Sequence, residues 1–193
     1  MQRRQFVQTL GAGSAVAGLG LLTGCASIGG KRPQVVVVGG VYGGATAAKY
    51  VRLFSDNGID VTLVEPNANF VSCPLSNLVV GGHKTLADIT VPYDNLARRH
   101  GVKVVRDMVE SIDAEKRTVK LASGATLPYD RLILSPGIDF MWNTLPGMNK
   151  AGAQDKVLHA WKAGPQTAAL HEQLKALPDG GTYALAIPLA PYR

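Results

Sequence analysis

The hydrophobic pattern of the chain is dominated by two aliphatic runs separated by a helix-like segment. Residues 34–38 end in a run of four β-branched valines, which is typical of a parallel strand buried on both faces. Residues 45–54 repeat apolar side chains on one side, as at Ala45, Ala48 and Val51, and predict an amphipathic helix. Asn57-Gly58 is typical of a helix end, and residues 59–64 predict a second buried strand. The order strand, glycine turn, helix, strand indicates a βαβ unit.

Shorter elements follow this unit. The pattern predicts helical pieces at 76–80 and 91–100, strands at 102–106, 109–113, 117–121, 126–128 and 129–134, a helix at 159–177 and a strand at 182–187. Turn-forming pairs at 114–115 and 123–124 make the middle strands an antiparallel insertion. We therefore predict an α/β fold: a Rossmann-like βαβ unit with an inserted antiparallel β segment, followed by the start of a second nucleotide-binding-like domain.

The loop after the first strand suits a phosphate group. Gly39 and Gly44 occupy the first and third positions of the spacing G-x-G-x-x-G, and a pyrophosphate there would face the positive end of the helix dipole. The second position holds Val41. Its β-branched side chain is expected to crowd the ligand, and to be strained if the site needs a positive φ. Gly40 and Gly43 let the loop adapt locally.

Glu65 stands directly after the second predicted strand and is followed by Pro66. A carboxylate at this position of a dinucleotide-binding βαβ unit accepts hydrogen bonds from the ribose, and we expect Glu65 to bind both adenosine ribose hydroxyls. Strand, glycine turn, helix, strand and acid together predict a bound dinucleotide. An α/β domain that binds no nucleotide stays open as the alternative, chiefly because of Val41.

Residues 1–30 are predicted to be an export signal and no part of the fold. Arg3-Arg4 precedes an apolar, small-residue stretch at 10–22, which is too short and too rich in glycine for a stable membrane-spanning helix. The paired arginines resemble a twin-arginine signal, with a general secretion signal as the alternative. Residues 22–25 also resemble a lipobox, in which Cys25 would carry a lipid anchor. Each of these routes predicts a periplasmic protein.

Charge and histidine spacing argue against two other classes of function. The net charge is +6, and four of the positive residues, at positions 3, 4, 31 and 32, lie in or just after the leader. No run of lysine or arginine is interleaved with aromatic residues, so we expect no nucleic-acid binding. The four histidines have no ligand spacing among themselves or with Cys73, so we expect no metal site.

Cys73 is the second chemical candidate in the sequence. The chain has two cysteines, and if Cys25 is cleaved off or lipidated, Cys73 has no partner in the chain. A lone thiol in an oxidising compartment needs a reason. Residue chemistry leaves three: a buried apolar cysteine, a redox thiol or a covalent attachment point. Pro74 fixes the backbone after it, and Ser76 is expected to cap the following helix.

A family resemblance rests on five segments of the chain: 35–50, 65–67, 73–77, 129–131 and 159–164. Together they resemble the flavoprotein subunit of flavocytochrome c sulfide dehydrogenase, from residue 34 to residue 193. The glycine turn and the stretch 129–137 are shared with the wider FAD-dependent pyridine nucleotide-disulfide oxidoreductase superfamily. The segments around Cys73 and Trp161-Lys162 are more specific to the sulfide dehydrogenase family.

The resemblance implies a function and a set of binding residues. In this family the cysteine matching Cys73 carries FAD through an 8α thioether bond. Electrons from sulfide enter at a redox-active disulfide beside the flavin and leave through a c-type cytochrome subunit. We therefore expect an FAD-dependent sulfide dehydrogenase subunit with covalent 8α-S-cysteinyl-FAD, whose redox work the cofactor performs. The cofactor-binding residues implied are Gly39, Gly40, Gly43, Gly44, Glu65, Pro66, Cys73, Pro136 and Gly137.

Two departures from the family pattern affect this expectation. Val41 stands where the family has glycine, and the family's redox cysteine follows a Pro-Tyr-Arg segment that matches residues 191–193. Both redox cysteines are therefore expected beyond Arg193, with no catalytic residue within the chain. We expect an N-terminal part of a longer family member. A sulfide:quinone reductase-like flavoprotein and a non-catalytic FAD-binding fragment stay open as alternatives. The expected parts are an export signal (1–30), an FAD-binding domain (31–150), and a connecting helix with the first strand of a second domain (151–193).

Overall fold

The computed structural model describes residues 31–186, which form a parallel β-sheet, two smaller antiparallel sheets and several helices. The strands are β1 (Gln34–Val38), β2 (Asp60–Val64), β3 (Asn69–Val71), β4 (Thr90–Pro92), β5 (Lys103–Val105), β6 (Val109–Asp113), β7 (Thr118–Leu121), β8 (Thr126–Pro128) and β9 (Arg131–Leu134). The helices are α1 (Tyr42–Phe54), α2 (Ser76–Val80), α3 (Asp94–His100), α4 (Ala153–Lys156) and α5 (Pro165–Lys175).

Strand β1 lies inside the parallel sheet, whose order is β5-β2-β1-β9. Its Val36 is paired with Thr62 of β2 on one side and with Leu132 of β9 on the other. Because side chains alternate along a strand, Val35 and Val37 face one side of the sheet and Val36 the other. All three valines are at most 7% exposed. The predicted strand buried on both faces is confirmed.

Each face of the parallel sheet is covered by a different layer. On one face Val35 and Val37 pack with Ala48 of α1 and with Tyr93, which precedes α3. On the other face the core joins Val36 to the three-stranded sheet β6-β7-β8 through Val119 and Leu121 of β7. The layers are therefore helices, parallel sheet and antiparallel sheet, which confirms the predicted α/β unit with an antiparallel insertion.

Two predicted helices have different boundaries in the structure. Helix α1 begins at Tyr42, so it takes Gly43 and Gly44 into its first turn. Residues 91–93 are not helical as predicted, because Val91 pairs with Phe70 across the β3–β4 ribbon. A proline next in sequence also disfavours the helical conformation at Val91, so α3 starts only at Asp94.

The C-terminal part of the described chain departs most from the predicted pattern. The helix predicted from residue 159 begins at Pro165, which suits a first helical position, and the Gly164 N–H donates to Thr167 Oγ1 at 3.1 Å. The strand predicted at 182–187 is wrong for the described residues 182–186, which are irregular. A strand needs a neighbour for its N–H and C=O groups, and no described strand pairs with it. With α5 this segment lines an apolar cavity of about 890 Å³.

The predicted export signal at residues 1–30, its lipobox cysteine Cys25 and residues 187–193 lie outside the described residues. Within residues 31–186 no helix is both long enough and apolar enough to cross a membrane.

A buried arginine ties α1 to the loop that follows it and to the end of α3. Arg52 is 8% exposed. Its Nη1 donates to the carbonyls of Asn57 (3.0 Å) and Ile59 (2.6 Å), and its Nε donates to the carbonyl of His100 (2.8 Å). One guanidinium thus satisfies three backbone acceptors at the rim of the sheet. Arginine suits this role better than lysine, because its planar guanidinium has several N–H donors and is always charged.

Replacing Arg52 by methionine is expected to lower the free energy of unfolding by about 2–4 kcal/mol, because three carbonyls lose a charged donor while the apolar stem is kept. Urea denaturation measures the change. Arg98→Met, on the exposed side of α3, serves as the matched control and should change stability by less than about 0.5 kcal/mol. Equal losses in the two variants would contradict a specific role for Arg52.

Candidate functional site

The glycine turn lies at the carboxyl end of β1, where the neighbouring strands also end. The Gly39 N–H donates to the Val64 carbonyl at 2.9 Å, and the Ser135 N–H donates to the Val38 carbonyl at 2.8 Å. The ends of β1, β2 and β9 therefore meet at the first turn of α1. In open α/β sheets this is the edge at which ligands bind.

Gly39 and Gly44 are required by close backbone approaches. Gly39 has φ +90, and a Cβ placed on it would lie 1.9 Å from the carbonyl oxygen of Ser135. A Cβ on Gly44 would lie 1.8 Å from the carbonyl oxygen of Gly39. These two glycines thus provide the tight turn and the close contact of helix with strand that their positions predict.

Val41 is not strained by its place in the turn. Its φ is −69, so the residue lies in ordinary extended backbone, and the strain that a positive φ would have caused is absent. Its side chain is 38% exposed, and Cγ2 lies 3.7 Å from where a Cβ on Gly137 would stand. A β-branched residue is compatible with the turn because its side chain leans toward the loop after β9.

The first turn of α1 presents an open surface suited to an anion. Val41, Tyr42 and Gly43 are exposed, and the first turn contains no acidic residue. The first intrahelical bond runs from the Ala45 N–H to the Val41 carbonyl, and the N–H groups before it point along the helix axis. Together with the helix dipole they favour a phosphate group at this end.

Glu65 is buried at the base of the turn and is held by three protein donors. It is 4% exposed, and its Oε2 accepts the Gly40 N–H at 2.8 Å. Its Oε1 accepts from the backbone N–H of Asn67 at 2.9 Å and from Asn67 Nδ2 at 2.7 Å. The adjacent Pro66 is exposed. The carboxylate is thus fixed at the carboxyl end of β2, beside the glycine turn.

Tyr93 was not identified as a site residue from the sequence, although its side chain packs against the glycine turn after β1. Its side chain is 6% exposed, and its hydroxyl donates to the carbonyl of Gly40 at 3.0 Å. Burial, and then the nearby Glu65 carboxylate, raise the pKa of Tyr93, so the phenol stays protonated and keeps its role as a donor. The spacing of Tyr93 and Leu96 marks a core-facing side of α3, but nothing local in the sequence identifies a partner 53 residues away.

Pro136 and Gly137 follow β9 and lie against the same turn. Both are exposed, and Gly137 has φ +80. Their neighbour Ser135, also missed from the sequence, places its Oγ 2.8 Å from where a Cβ on Gly43 would stand. The loop after β9 therefore packs directly against the turn after β1 at the candidate dinucleotide site.

Cys73 lies at the start of a short 3₁₀ helix, Cys73–Leu75, that leads into α2. Its side chain is exposed, and it forms no disulfide within residues 31–186. Its Sγ donates to the carbonyl oxygen of Trp161 at 2.8 Å. The two segments most specific to the resemblance therefore meet in space. Of the three roles left open for Cys73, its exposure excludes the buried apolar cysteine.

Ser76 does not cap α2 as predicted. It is the first residue of the helix, and its hydroxyl donates to the carbonyl of Cys73 at 2.7 Å. A side chain inside the first turn cannot reach forward to the N–H groups that an N-cap satisfies, but it can reach back one turn. Ser76 thus stabilises the turn that presents Cys73.

A hydrogen bond connects the Cys73 segment to the first turn of α1. The hydroxyls of Tyr42 and Ser72 are 2.6 Å apart, and the Tyr42 ring meets Phe70 edge to face at 4.8 Å between centroids. The Ser72 N–H donates to the Ile89 carbonyl at 2.8 Å. The first turn of α1 and the segment that carries Cys73 are therefore in direct contact, which the sequence does not reveal because Tyr42 and Ser72 are 30 residues apart.

An aromatic cluster is formed by Phe140, Trp142 and His159, and the last of these is two residues before Trp161. His159 packs on Phe140 at 4.4 Å and lies 6.0 Å from Trp142 between ring centroids, and desolvation lowers the pKa of His159. His159 thus packs against aromatic rings. The prediction that it lies in a helix is wrong, because the helix begins at Pro165. Lys162 Nζ lies 3.1 Å from Asp139 Oδ1, and its hydrogen bond lowers the pKa of that carboxyl.

The residues of this edge fit a dinucleotide. A helix N-terminus without acidic neighbours, close-packed glycines and a buried carboxylate at the end of β2 are the three parts that such a cofactor needs. The structure brings Gly39, Gly40, Gly43, Gly44, Glu65, Pro136 and Gly137 together at one edge of the sheet, and the Tyr42–Ser72 bond joins the Cys73 segment to it. Within residues 31–186 no group of three or more His, Cys, Asp or Glu side chains is placed to hold a metal ion.

Comparison with known proteins gives consistent matches. A family model described as pyridine nucleotide-disulphide oxidoreductase matches residues 33–176. The flavoprotein chain of sulfide dehydrogenase (flavocytochrome c) from Chlorobaculum thiosulfatiphilum is 61% identical over 46 residues, which are 24% of this chain and 94% of that one. The sulfide-quinone reductase of Aquifex aeolicus is 33% identical over 105 residues, which are 54% of this chain and 24% of that protein.

The solved structure of the sulfide:quinone oxidoreductase from Aquifex aeolicus has a TM-score of 0.61 at 26% identity, and the match covers 74% of this chain and 32% of that one. The chain thus spans only 24% to 32% of the length of these quinone-linked relatives. The matches confirm the Rossmann-like FAD-binding fold and the resemblance to the flavocytochrome c flavoprotein.

Proposed function

Since this chain belongs to the pyridine nucleotide-disulphide oxidoreductase family, we propose that it is an FAD-dependent oxidoreductase subunit of the sulfide dehydrogenase type. In this role it passes electrons from sulfide, through covalently bound FAD, to a c-type cytochrome. The 61% identity to a flavocytochrome c flavoprotein chain supports this choice within the family.

The observation that carries the proposal is the placement of Cys73. An exposed thiol lies one residue from Ser72, whose hydroxyl is bonded to Tyr42 in the first turn of α1. A dinucleotide whose pyrophosphate occupies the end of α1 can extend its flavin along this link. FAD at this site supplies the ability to take up an electron pair and release the electrons singly.

The residues of the chain then have distinct tasks. The first turn of α1 neutralises the pyrophosphate, and Glu65 accepts a hydrogen bond from the adenosine ribose. The Cys73 Sγ donates a hydrogen bond to the Trp161 carbonyl, which would fix the direction of the thiol. Forming the thioether would break the S–H bond and one 8α C–H bond, and the electron pair released would reduce the FAD itself. A thioether prevents loss of the cofactor by dissociation.

The predicted export signal supports the same proposal. We place the mature protein in the periplasm because Arg3-Arg4 and the apolar stretch 10–22 have the layout of a twin-arginine signal, a route that transports folded proteins. Cys25 is the proposed position of a lipid anchor.

A second candidate function is that of a sulfide:quinone reductase. Its support is the similarity to the Aquifex aeolicus enzyme in both sequence and structure. The two functions share the flavin site and differ in the electron acceptor, a cytochrome in one and a quinone in the other.

Expression of the whole chain, with its leader, in a host that has twin-arginine export tests the proposal. We expect the periplasmic fraction to contain the chain with flavin that stays in the pellet after acid precipitation. The purified chain is then mixed with sulfide and with a polypeptide that supplies the redox cysteines of the family. We expect this mixture to reduce cytochrome c faster than it reduces a soluble quinone. Acid-released flavin together with preference for the quinone would support the second function, and a chain that never takes up flavin would contradict both.

A further inference from the structure

The peptide group of Gly40 is held at both ends by buried side chains. Its N–H donates to Glu65 Oε2 at 2.8 Å, and its carbonyl accepts from the Tyr93 hydroxyl at 3.0 Å. Glu65 and Tyr93 are 4% and 6% exposed. Hydrogen bonds arranged in a chain through one peptide polarise and strengthen each other where water is excluded.

Glycine at position 40 allows this arrangement. A Cβ on Gly40 would lie 2.7 Å from the Tyr93 hydroxyl oxygen and 2.8 Å from the ring carbon that carries it. Tyr93 comes from the segment between β4 and α3, outside the βαβ unit. Its hydroxyl therefore fixes the glycine turn from a separate part of the chain.

The hydrogen bonds of Glu65 define how much acceptor capacity is left for a ligand. An ionised carboxylate has about four lone-pair positions. Asn67 occupies two on Oε1 and Gly40 one on Oε2, which leaves one position on Oε2. The Glu65 Oε2 atom thus accepts the Gly40 N–H and also carries the one lone pair left for a ribose hydroxyl. Glu65 therefore has an unoccupied acceptor position for one ribose hydroxyl, whereas two were expected from the sequence.

We propose that Tyr93 is a positioning residue for recognition of the adenosine ribose. It fixes the Gly40 peptide, and that peptide fixes the direction in which Glu65 Oε2 offers its remaining lone pair. The inference rests on the proposed binding of FAD. Since Tyr93 acts through Gly40 and Glu65, its effect is expected to be larger on ligands that carry ribose hydroxyls than on ligands that lack them.

The test uses ADP, which carries the adenine, ribose and pyrophosphate of FAD, and 2′,3′-dideoxy-ADP, which lacks both hydroxyls. Calorimetry on the flavin-free whole chain, produced in a riboflavin-deprived auxotrophic host so that no covalent FAD fills the site, gives the dissociation constants. The wild type is compared with Tyr93→Phe, which keeps the ring and removes only the donor. We expect Tyr93→Phe to weaken ADP binding about threefold to tenfold, as for the loss of one hydrogen bond. Binding of the dideoxy compound should change less than about twofold.

Two further variants separate this role from packing. Tyr50→Phe, on the exposed side of α1, should leave both constants unchanged. In a Glu65→Gln background, Tyr93→Phe should have a smaller effect on ADP than in the wild type, because the two residues act as a unit. Equal weakening of ADP and dideoxy-ADP, or full additivity with Glu65→Gln, overturns the inference and leaves FAD binding intact. A wild type that binds neither FAD nor ADP overturns the proposed function and this inference with it.

Discussion

Replacing Cys73 by serine is expected to remove all acid-stable flavin from the protein. A thioether survives acid, whereas flavin held only by hydrogen bonds and packing is released when the protein denatures. Serine keeps the size and the hydrogen-bonding capacity at position 73 but is a much weaker nucleophile than a thiol. The glycine turn and Glu65 are unchanged in this variant, so we expect Cys73→Ser to bind FAD reversibly. The measurement is the flavin absorbance of the pellet and of the supernatant after acid precipitation.

The second cysteine of the chain provides the matched control. Cys25→Ser changes the same atom in the predicted leader and should leave the flavin in the pellet. If Cys73→Ser retains acid-stable flavin, attachment does not occur at Cys73. If the wild type itself releases all its flavin into acid, the bond is not covalent and the proposed function reduces to reversible FAD binding.

Gly39→Ala is expected to have the second-largest effect, because it damages the fold and the cofactor site together. The residue has φ +90, where an L side chain is strained, and its Cβ would lie 1.9 Å from the carbonyl oxygen of Ser135. Backbone strain costs about 1–3 kcal/mol and overpacking a similar amount, so we expect a loss of about 3 kcal/mol or more in the free energy of unfolding. The displaced loop after β9 should also lower FAD affinity by at least about tenfold, which corresponds to a loss of about 1.4 kcal/mol in binding free energy.

Gly124→Ala separates the two causes. Gly124 has φ +89, nearly the value at Gly39, but nothing lies within 4 Å of its Cβ position. The variant should lose about 1–3 kcal/mol from backbone strain alone and keep the affinity for FAD. Urea denaturation of the wild type and the two glycine variants gives their stabilities. Flavin titration of the same three proteins in the Cys73→Ser background, where FAD is expected to bind reversibly, gives their affinities. Equal losses of stability in the two variants would show that the contact with Ser135 is unimportant.

The βαβ unit could be predicted because each of its signals is local. A continuous β-branched run is typical of a parallel strand buried on both faces, and Val35, Val36 and Val37 are buried there as expected. Glycine at the third turn position is required by a local backbone approach, that of Gly44 to Gly39, whereas Gly39 is required by the distant Ser135 carbonyl and was predicted from the glycine spacing alone. Glu65 follows from its place at the end of β2. All these features depend on alternation, spacing and chain order, which can be read from a sequence.

Secondary-structure predictions were wrong where the presence or absence of a pairing strand outweighs the local preference of the residues. Residues 91–93 continue a helical pattern, but Val91 pairs with Phe70 and lies in a strand. Residues 182–186 have the apolar character of a strand, but without a described neighbour their backbone forms no ladder. Strand propensity is realised only when another strand is present.

The sequence by itself determined the α/β class, the phosphate-binding turn, the acid at the end of β2 and an unusual cysteine at position 73, because each is encoded by residues close in the chain. Only the tertiary structure decided how these parts meet. It joined Cys73 to α1 through Tyr42 and Ser72, brought Trp161 to the thiol, and placed Tyr93 against Gly40. These contacts depend on directional hydrogen bonds between residues 30 to 88 positions apart, and such bonds leave no periodic trace in a sequence.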